Sequence, residues 1–180
     1  MVREQTGLFG LIVSARIAPA HEVVTMQHRY SVEYLYGLCR DDPWIPWRHE
    51  PTWARGLLHG LNGDMPSAAC VLVPQVEELV RQHLKGAGAH TMFVSDDGVE
   101  TEKGLTTLLD DAQAADVLGS DLVFEMKALP TDQQGPNLRN NIAHGLTTDV
   151  ELGGSSAAYV WWLVLRLVTL PHAQSAETAT

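Results

Sequence analysis

Apolar residues recur at helical spacing along the first third of the chain. In residues 20–39, Tyr30, Tyr34 and Leu38 follow one another at intervals of four, which predicts one long helix. Pro43 ends this pattern, because the residue before a proline avoids helical angles. The following stretch, DDPWIPWRHEPTW, holds three prolines and three tryptophans. We therefore expect an ordered, packed loop there.

Helical patterns also dominate the middle of the chain. Residues 52–61 predict a short helix, and residues 66–85 predict a longer one that Pro74 should kink or restart. The second half of the longer helix carries a clear apolar stripe. Glu77 and Arg81 lie four residues apart on the opposite side of this helix, and we expect them to form an exposed ion pair. The pair assists a functional site only if this helix packs beside that site.

One short segment has a different pattern. Met92 to Val94, a turn at Asp97-Gly98, and Val99 to Thr101 predict a small β-hairpin near residues 91–101. Helical segments then resume at about residues 105–110, 112–118 and 121–129, and Pro130 ends the last of them.

Two more helices are predicted toward the C-terminus. Gly135-Pro136 opens the first, which carries the block NLRNNIAHGL. After a break at residues 150–154, the segment SSAAYVWWLVLRLVTL is apolar nearly all round, which predicts a helix inside a bundle or against another subunit. The fold class is therefore mainly α, a helical bundle with a small hairpin. We expect one domain over residues 1–172 and a flexible tail over residues 173–180.

Charge narrows the classes of partner. The net charge is −10, and residues 62–134 hold four Lys/Arg against thirteen Asp/Glu, whereas residues 1–61 are balanced. An acidic chain has no general electrostatic footprint for polyanions. Any activity on nucleic acid must then come from a local site, with a partner subunit supplying part of it.

Signals for a membrane, a metal or an oxidising compartment are weak. No segment reaches ~20 apolar residues, so we expect no helix that is long enough to span a bilayer. Glu4 and Arg16 break the pattern of an N-terminal signal peptide. Cys39 and Cys70 form no CxxC pair, so we expect reduced core thiols. The histidines lack metal-ligand spacing. These features predict a cytoplasmic protein with no membrane contact, no metal and no cofactor.

The block at residues 137–146 carries the candidate chemistry. On a regular helix Asn140 and His144 share a face, whereas Arg139 and His144 are about 140° apart. The last two converge if the arginine curls back or if the helix loosens at Gly145. A histidine can exchange a proton with a ribose 2′-hydroxyl or with the leaving 5′-oxygen, and an arginine can stabilise charge on the phosphorus. Such a set suffices to cleave RNA without a metal.

Two other interpretations of the same residues stay open. Arg139 could grip a nucleotide or a phosphate, or brace an interface, without any bond being cut. Alternatively, the asparagines could satisfy backbone groups at a helix end in a purely structural domain.

A family resemblance adds to these interpretations. Arg139 to Gly145, RNNIAHG, matches the pattern Arg-Asn-x-x-x-His-Gly, which marks an uncharacterised family of bacterial and eukaryotic domains. The pattern also resembles the signature of the HEPN superfamily, an arginine, a polar residue and a histidine a few residues later. The segment LVPQVEELVR and the apolar helix downstream resemble the same family. The resemblance covers about residues 50–170 and corresponds to the C-terminal region of that family.

The resemblance implies a HEPN-like bundle that forms a homodimer, with the two motifs facing each other across a cleft. It implies a metal-independent endoribonuclease acting on RNA, of the kind found in toxins and antiphage defence, with an antitoxin or a larger defence assembly as a further partner. Other HEPN domains are non-catalytic modules for nucleotide or RNA binding or for dimerisation, which is the alternative. The candidate residues are Arg139, Asn140 and His144 as catalytic, Asn137 and Asn141 as substrate-binding, and Gly145 as structural.

Overall fold

Helices account for most of the regular structure. The computed structural model describes residues 2–128 and 137–178, with side chains for residues 7–128 and 137–170. It confirms a mainly α fold with a small β-hairpin. The elements are α1 (Val2–Ile12), a π-helical segment (Val13–Ile17), α2 (Ala18–Gln27), α3 (Val32–Arg40), α4 (Glu50–Leu61), α5 (Met65–Gly86), β1 (Met92–Val94), β2 (Glu100–Glu102), α6 (Leu105–Leu109), α7 (Ala114–Leu118), α8 (Ser120–Met126), α9 (Leu138–Ala143), α10 (Asp149–Leu152) and α11 (Ser155–Thr178).

The N-terminal helices differ from the prediction. The elements α1, the π-helical segment and α2 follow one another without a gap, and the chain then breaks before α3. The single helix predicted over residues 20–39 is therefore wrong. Ser31 has extended angles, and its hydroxyl accepts a hydrogen bond from the Tyr34 N–H at 3.2 Å. This side chain caps a new helix, which apolar spacing alone did not reveal.

Helix α5 is the centre of the bundle. It contacts α4, α6, α7, α9, α10 and α11. The Asp64 carboxylate caps its first turn by accepting from the Ser67 N–H at 3.2 Å. Pro74 lies inside the helix and the helix does not restart there, so that part of the prediction is wrong.

The core lies where α4, α5 and α11 meet. Trp53 and Leu57 of α4, Leu72 of α5 and Val164 of α11 are completely buried. Eight residues of α11 between Ala157 and Val168 are buried, as its apolar sequence predicts. It continues past the predicted end at Leu170 to Thr178, so the predicted tail begins inside a helix.

Two glycines allow α4 to approach its neighbours closely. A Cβ atom at Gly56 would lie 2.5 Å from Cδ2 of Leu72, and one at Gly60 would lie 2.0 Å from Nε1 of Trp161. That indole N–H donates to the Leu57 carbonyl at 3.1 Å. The contact between α4 and α11 therefore depends on the absence of a side chain at residue 60.

The hairpin confirms the predicted β element. Strands β1 and β2 pair antiparallel, with Met92 opposite Glu102 and Val94 opposite Glu100. The side chains of both strands are exposed.

The tryptophan-rich loop is packed in part. Ile45 and Pro46 are buried, but the Trp47 side chain is 80% exposed. The guanidinium of Arg48 lies 5.0 Å from the centre of the Trp47 ring. The loop is anchored to the core by its middle, and Trp47 projects away from it.

The two cysteines occupy different environments. Cys39 is buried, as predicted, whereas Cys70 is exposed, so its assignment to the core was wrong. Cys70 lies on the solvent side of α5. Burial, together with the negative charges of Asp42 and Glu50, raises the pKa of the Cys39 thiol to about 12.

The N-terminal helix corrects a further expectation. Gly7–Gln27 is 21 residues long with a hydropathy of 1.3, and only 17% of its most apolar window is buried. The prediction that no helix is long and apolar enough to cross a membrane was therefore wrong. It counted only uninterrupted apolar runs, whereas this helix stays apolar on average across Arg16 and Glu22. The core helices of soluble proteins and signal sequences can have the same length and apolar character, so this helix does not by itself identify a membrane protein.

Candidate functional site

Helix α9 carries the motif and packs against α5. Leu138 is buried and Ile142 packs against the core, so these two residues, four apart, share an inward face of the helix. Asn137 precedes the helix in the left-handed region, with φ 37° and ψ 43°. The predicted opening at Gly135-Pro136, and the predicted stop at Pro130 in the preceding helix, lie outside the described residues.

The end of α9 has a defined geometry. The His144 N–H donates to the Asn140 carbonyl at 3.0 Å, and the Leu146 N–H donates back to the Asn141 carbonyl at 2.8 Å. Between them, Gly145 has φ +65°. This left-handed conformation closes the helix and favours glycine, because a Cβ atom would be strained there.

The side chain of Arg139 is held by a carboxylate on α5. Its Nε donates to Glu77 Oε2 at 2.6 Å, and its Nη2 donates to Glu77 Oε1 at 3.1 Å. The two residues are 62 positions apart, so the pair connects distant parts of the chain. A side-on pair of this kind fixes the plane of the guanidinium as well as its position.

Glu77 is the centre of a larger network. It also accepts from Arg81 Nη2 at 2.8 Å and from the Leu105 N–H at 3.2 Å. Arg81 in turn forms ion pairs with Glu78 at 2.6 Å and with Glu102 at 3.0 Å. The expectation of an exposed Glu77–Arg81 pair is therefore wrong. Helix α9 and the chain leading from β2 into α6 cover this side of α5, and the two side chains are only 11% and 12% exposed.

The network keeps Glu77 ionised. Burial by itself raises the pKa of the carboxyl, but hydrogen bonds and charge from Arg139 and Arg81 outweigh burial, and the pKa lies below its ordinary value. Three carboxylates face two guanidiniums, so the cluster carries a net charge of −1. The network alone is therefore not a strong anion site.

The structure does not join Arg139 to His144 directly. Within the part of the chain that the structure describes, the hydrogen bonds of Arg139 go to Glu77, and the exposed imidazole of His144 forms no hydrogen bond or ion pair. The half-buried Asn140 side chain likewise forms none with these residues. Arg139 is 34% exposed, and its Nη1 is not used by Glu77. A ligand can therefore reach both the arginine and the histidine from solvent.

Asn141 lines a small cavity of about 200 Å³ on the other side of α9. Thr147, Glu151 and Ser155 are among the other residues around it. The Thr147 hydroxyl is buried without a hydrogen-bond partner among the described residues. The cavity therefore has hydrogen-bonding capacity that the fold does not use. Asn137 does not line it.

Sequence reasoning missed how the motif is held. Glu102 and the Leu105 N–H were not candidates, because nothing local connects them with residues 137–146. The available signal was the position of the Glu77–Arg81 pair next to the apolar stripe of α5. On such a helix, a charged pair is buried whenever another element covers it.

Neither metal-binding side chains nor comparisons with known proteins assign a further role to the site. Among residues 7–128 and 137–170, no three His, Cys, Asp or Glu side chains lie close enough together to hold a metal ion. Comparison of the chain with known protein families, with curated proteins and with solved structures finds no match.

Proposed function

We propose that this chain is a metal-independent endoribonuclease that cleaves RNA at a cleft between two copies of itself, with Arg139 and His144 as the catalytic pair. The observation that carries the proposal is the oriented guanidinium. Glu77 holds Arg139 side-on and leaves Nη1 unused, and the exposed imidazole of His144 lies five residues, or about 1.4 helical turns, further along the chain. The resemblance to the HEPN superfamily supports the same assignment.

The proposed reaction is an intramolecular transesterification. A neutral His144 takes the proton of the ribose 2′-hydroxyl, and the oxygen attacks the adjacent phosphorus. The bond from phosphorus to the 5′-oxygen breaks, and that oxygen takes a proton from a protonated histidine. The products are a 2′,3′-cyclic phosphate and a 5′-hydroxyl, with no net consumption of water. Two copies of the chain supply the two histidines that the acid and the base steps require.

The proposed role of Arg139 is to bind the charge that gathers on the phosphate oxygens in the transition state. Since the ion network is net negative, the arginine alone gives weak affinity for ground-state RNA. A protonated His144 and a second copy of the motif add the missing positive charge. Asn140 would orient the phosphate, and Asn141 with the polar cavity beside it would bind a neighbouring part of the RNA.

The test is incubation of the purified chain with structured and unstructured RNAs in EDTA, with the RNA ends identified by mass. We expect cyclic phosphate ends from wild type, no cutting of DNA of the same sequence, and at least about a hundredfold loss in His144→Ala. His28→Ala is the matched control, because His28 is exposed and lies outside the site. Equal cleavage by wild type and His144→Ala, or none by wild type across the RNAs, would contradict the proposal.

A second function, a non-catalytic module for binding or dimerisation, is favoured by one specific observation. Glu77 already neutralises Arg139 and ties α9 to α5, so the ion pair is also a structural brace. Arg139→Ala that dissociates a dimer, in a chain that cuts no RNA, would support this function. Light scattering measures the change of mass.

A further inference from the structure

A long apolar groove lies between the N-terminal helix and α11, away from the motif. It encloses about 460 Å³, which falls within the range of small-molecule sites. Phe9, Val13 and Ile17 attach the N-terminal helix to the core, but Ala20 is exposed in the groove and Val24 is only partly buried. The N-terminal helix thus contacts α11 through α1 and the π-helical segment, and a groove remains between α2 and α11.

The walls of the groove are mainly apolar. Leu61 and Leu165 contribute aliphatic surface, and Tyr159, Trp161 and Trp162 contribute rings. Such walls favour a hydrocarbon chain over a polar ligand, because apolar surface is removed from water on binding.

Two polar side chains interrupt this lining. His21 is held in place, with its Nε2 2.8 Å from the Gly60 carbonyl and its ring edge-on to Trp161. Arg16 is exposed at the groove and forms no ion pair with the described residues. The groove therefore has a fixed polar group on its wall and one cation that is free to pair with a ligand.

We propose that this groove binds a free fatty acid, with the acyl chain between the N-terminal helix and α11 and the carboxylate on Arg16. The enclosed volume suits one such molecule. The guanidinium selects an anionic end, because an unpaired arginine forms charge-assisted hydrogen bonds with a carboxylate. The proposal does not depend on the ribonuclease function, since the groove residues are separate from the Arg139 network.

The test is calorimetric titration of laurate, below its micelle concentration, into the full chain. We expect one laurate per chain, binding about tenfold weaker in Arg16→Gln, and no binding in Ala20→Trp, which fills the groove. Arg29→Gln and Ala15→Trp are matched controls. Both residues are exposed, Ala15 in the π-helical segment and Arg29 just after α2, and neither lines the groove. Circular dichroism checks that each variant remains helical.

Uncharged dodecanol should bind equally to wild type and Arg16→Gln, because it has no carboxylate to pair with the guanidinium. This comparison isolates the contribution of the carboxylate to binding. Equal laurate binding by wild type and Arg16→Gln, or undiminished binding by Ala20→Trp, overturns the proposal.

Two further experiments identify other occupants. If the chain forms a dimer that laurate leaves intact and that Ala20→Trp dissociates, the groove binds a second copy of the chain. Flotation of the wild type with phosphatidylcholine vesicles, lost in Ala20→Trp, assigns it to a membrane. Either result also overturns the proposal.

Discussion

Helix α5 meets α4 and α9 by different physical means. Against α4 the contact is apolar and close, with Leu72 lying where a side chain at Gly56 would otherwise be. Against α9 the contact includes an ion pair, in which the buried Glu77 holds Arg139, beside the apolar residues Leu138 and Ile142. The apolar contact contributes burial but directs no particular group toward a ligand. The ionic contact fixes the orientation of one guanidinium, and it depends on a few atoms.

The largest effect should come from breaking the ionic contact. We expect Glu77→Ala to lower the free energy of unfolding by about 3 kcal/mol, because it leaves two guanidiniums without their shared carboxylate. Urea unfolding followed by circular dichroism measures the change. Glu78→Ala is the control, with an expected loss of no more than about 1 kcal/mol, because Glu78 pairs with Arg81 but not with Arg139. Equal losses in the two variants would show that Glu77 has no special role.

The apolar packing of α4 can be disturbed by adding one methyl group where α4 meets α11. We expect Gly60→Ala to lower the free energy of unfolding by about 2 kcal/mol, because the new Cβ meets the indole of Trp161. Gly37→Ala is the matched control. Residue 37 lies in helix α3, and a Cβ atom there would meet nothing within 4 Å. This substitution should therefore be neutral or slightly stabilising. A Gly60→Ala protein as stable as wild type would mean that α4 and α11 are less closely packed than described.

Acid should weaken the ionic contact selectively. The folded pKa of Glu77 is depressed, so the unfolded chain takes up its proton first as the pH falls. The stability due to this group is complete above the ordinary pKa of a glutamic acid and is lost as the pH falls through the folded pKa. Unfolding free energies measured from pH 7 to about pH 3 should therefore fall more steeply in wild type than in Glu77→Gln. Parallel curves would contradict this linkage.

The smallest perturbation is chemical labelling of the two thiols. Cys70, exposed on α5, should react with a maleimide within minutes, because the reagent can reach its sulfur from solvent. Cys39 should react only when the chain unfolds, since burial keeps it as the thiol. Cys70→Ser should remove the fast phase alone. Two equally fast thiols would show that α3 is not packed on the core.

The parts of the fold that the sequence predicts are those with a strong local pattern. The apolar segment of α11, the stripe of α5 and the Asp97-Gly98 turn each satisfy their own structural rule, and all three elements form. The break between α2 and α3 was missed because one serine cap outweighs an apolar spacing that continues across it. The fate of Pro74 also depends on context, since the packing on both sides holds α5 together.

The candidate site was predictable only in part. The arrangement of Leu138 and Ile142 follows from helical spacing, because both belong to one short helix. The partner of Arg139 does not, because Glu77 lies 62 residues earlier and its burial depends on elements that cover it from both sides. A pattern along the chain identifies candidate groups, and tertiary contacts decide which groups they face.

The central claim is that Glu77 and Arg139 act as one unit that orients the guanidinium. A double-mutant cycle with Glu77→Gln and Arg139→Gln, measured by urea unfolding, tests it most directly. We predict a coupling free energy of about 2 kcal/mol between the two side chains. A coupling within experimental error of zero would contradict the claim, because the two residues would then contribute to stability independently.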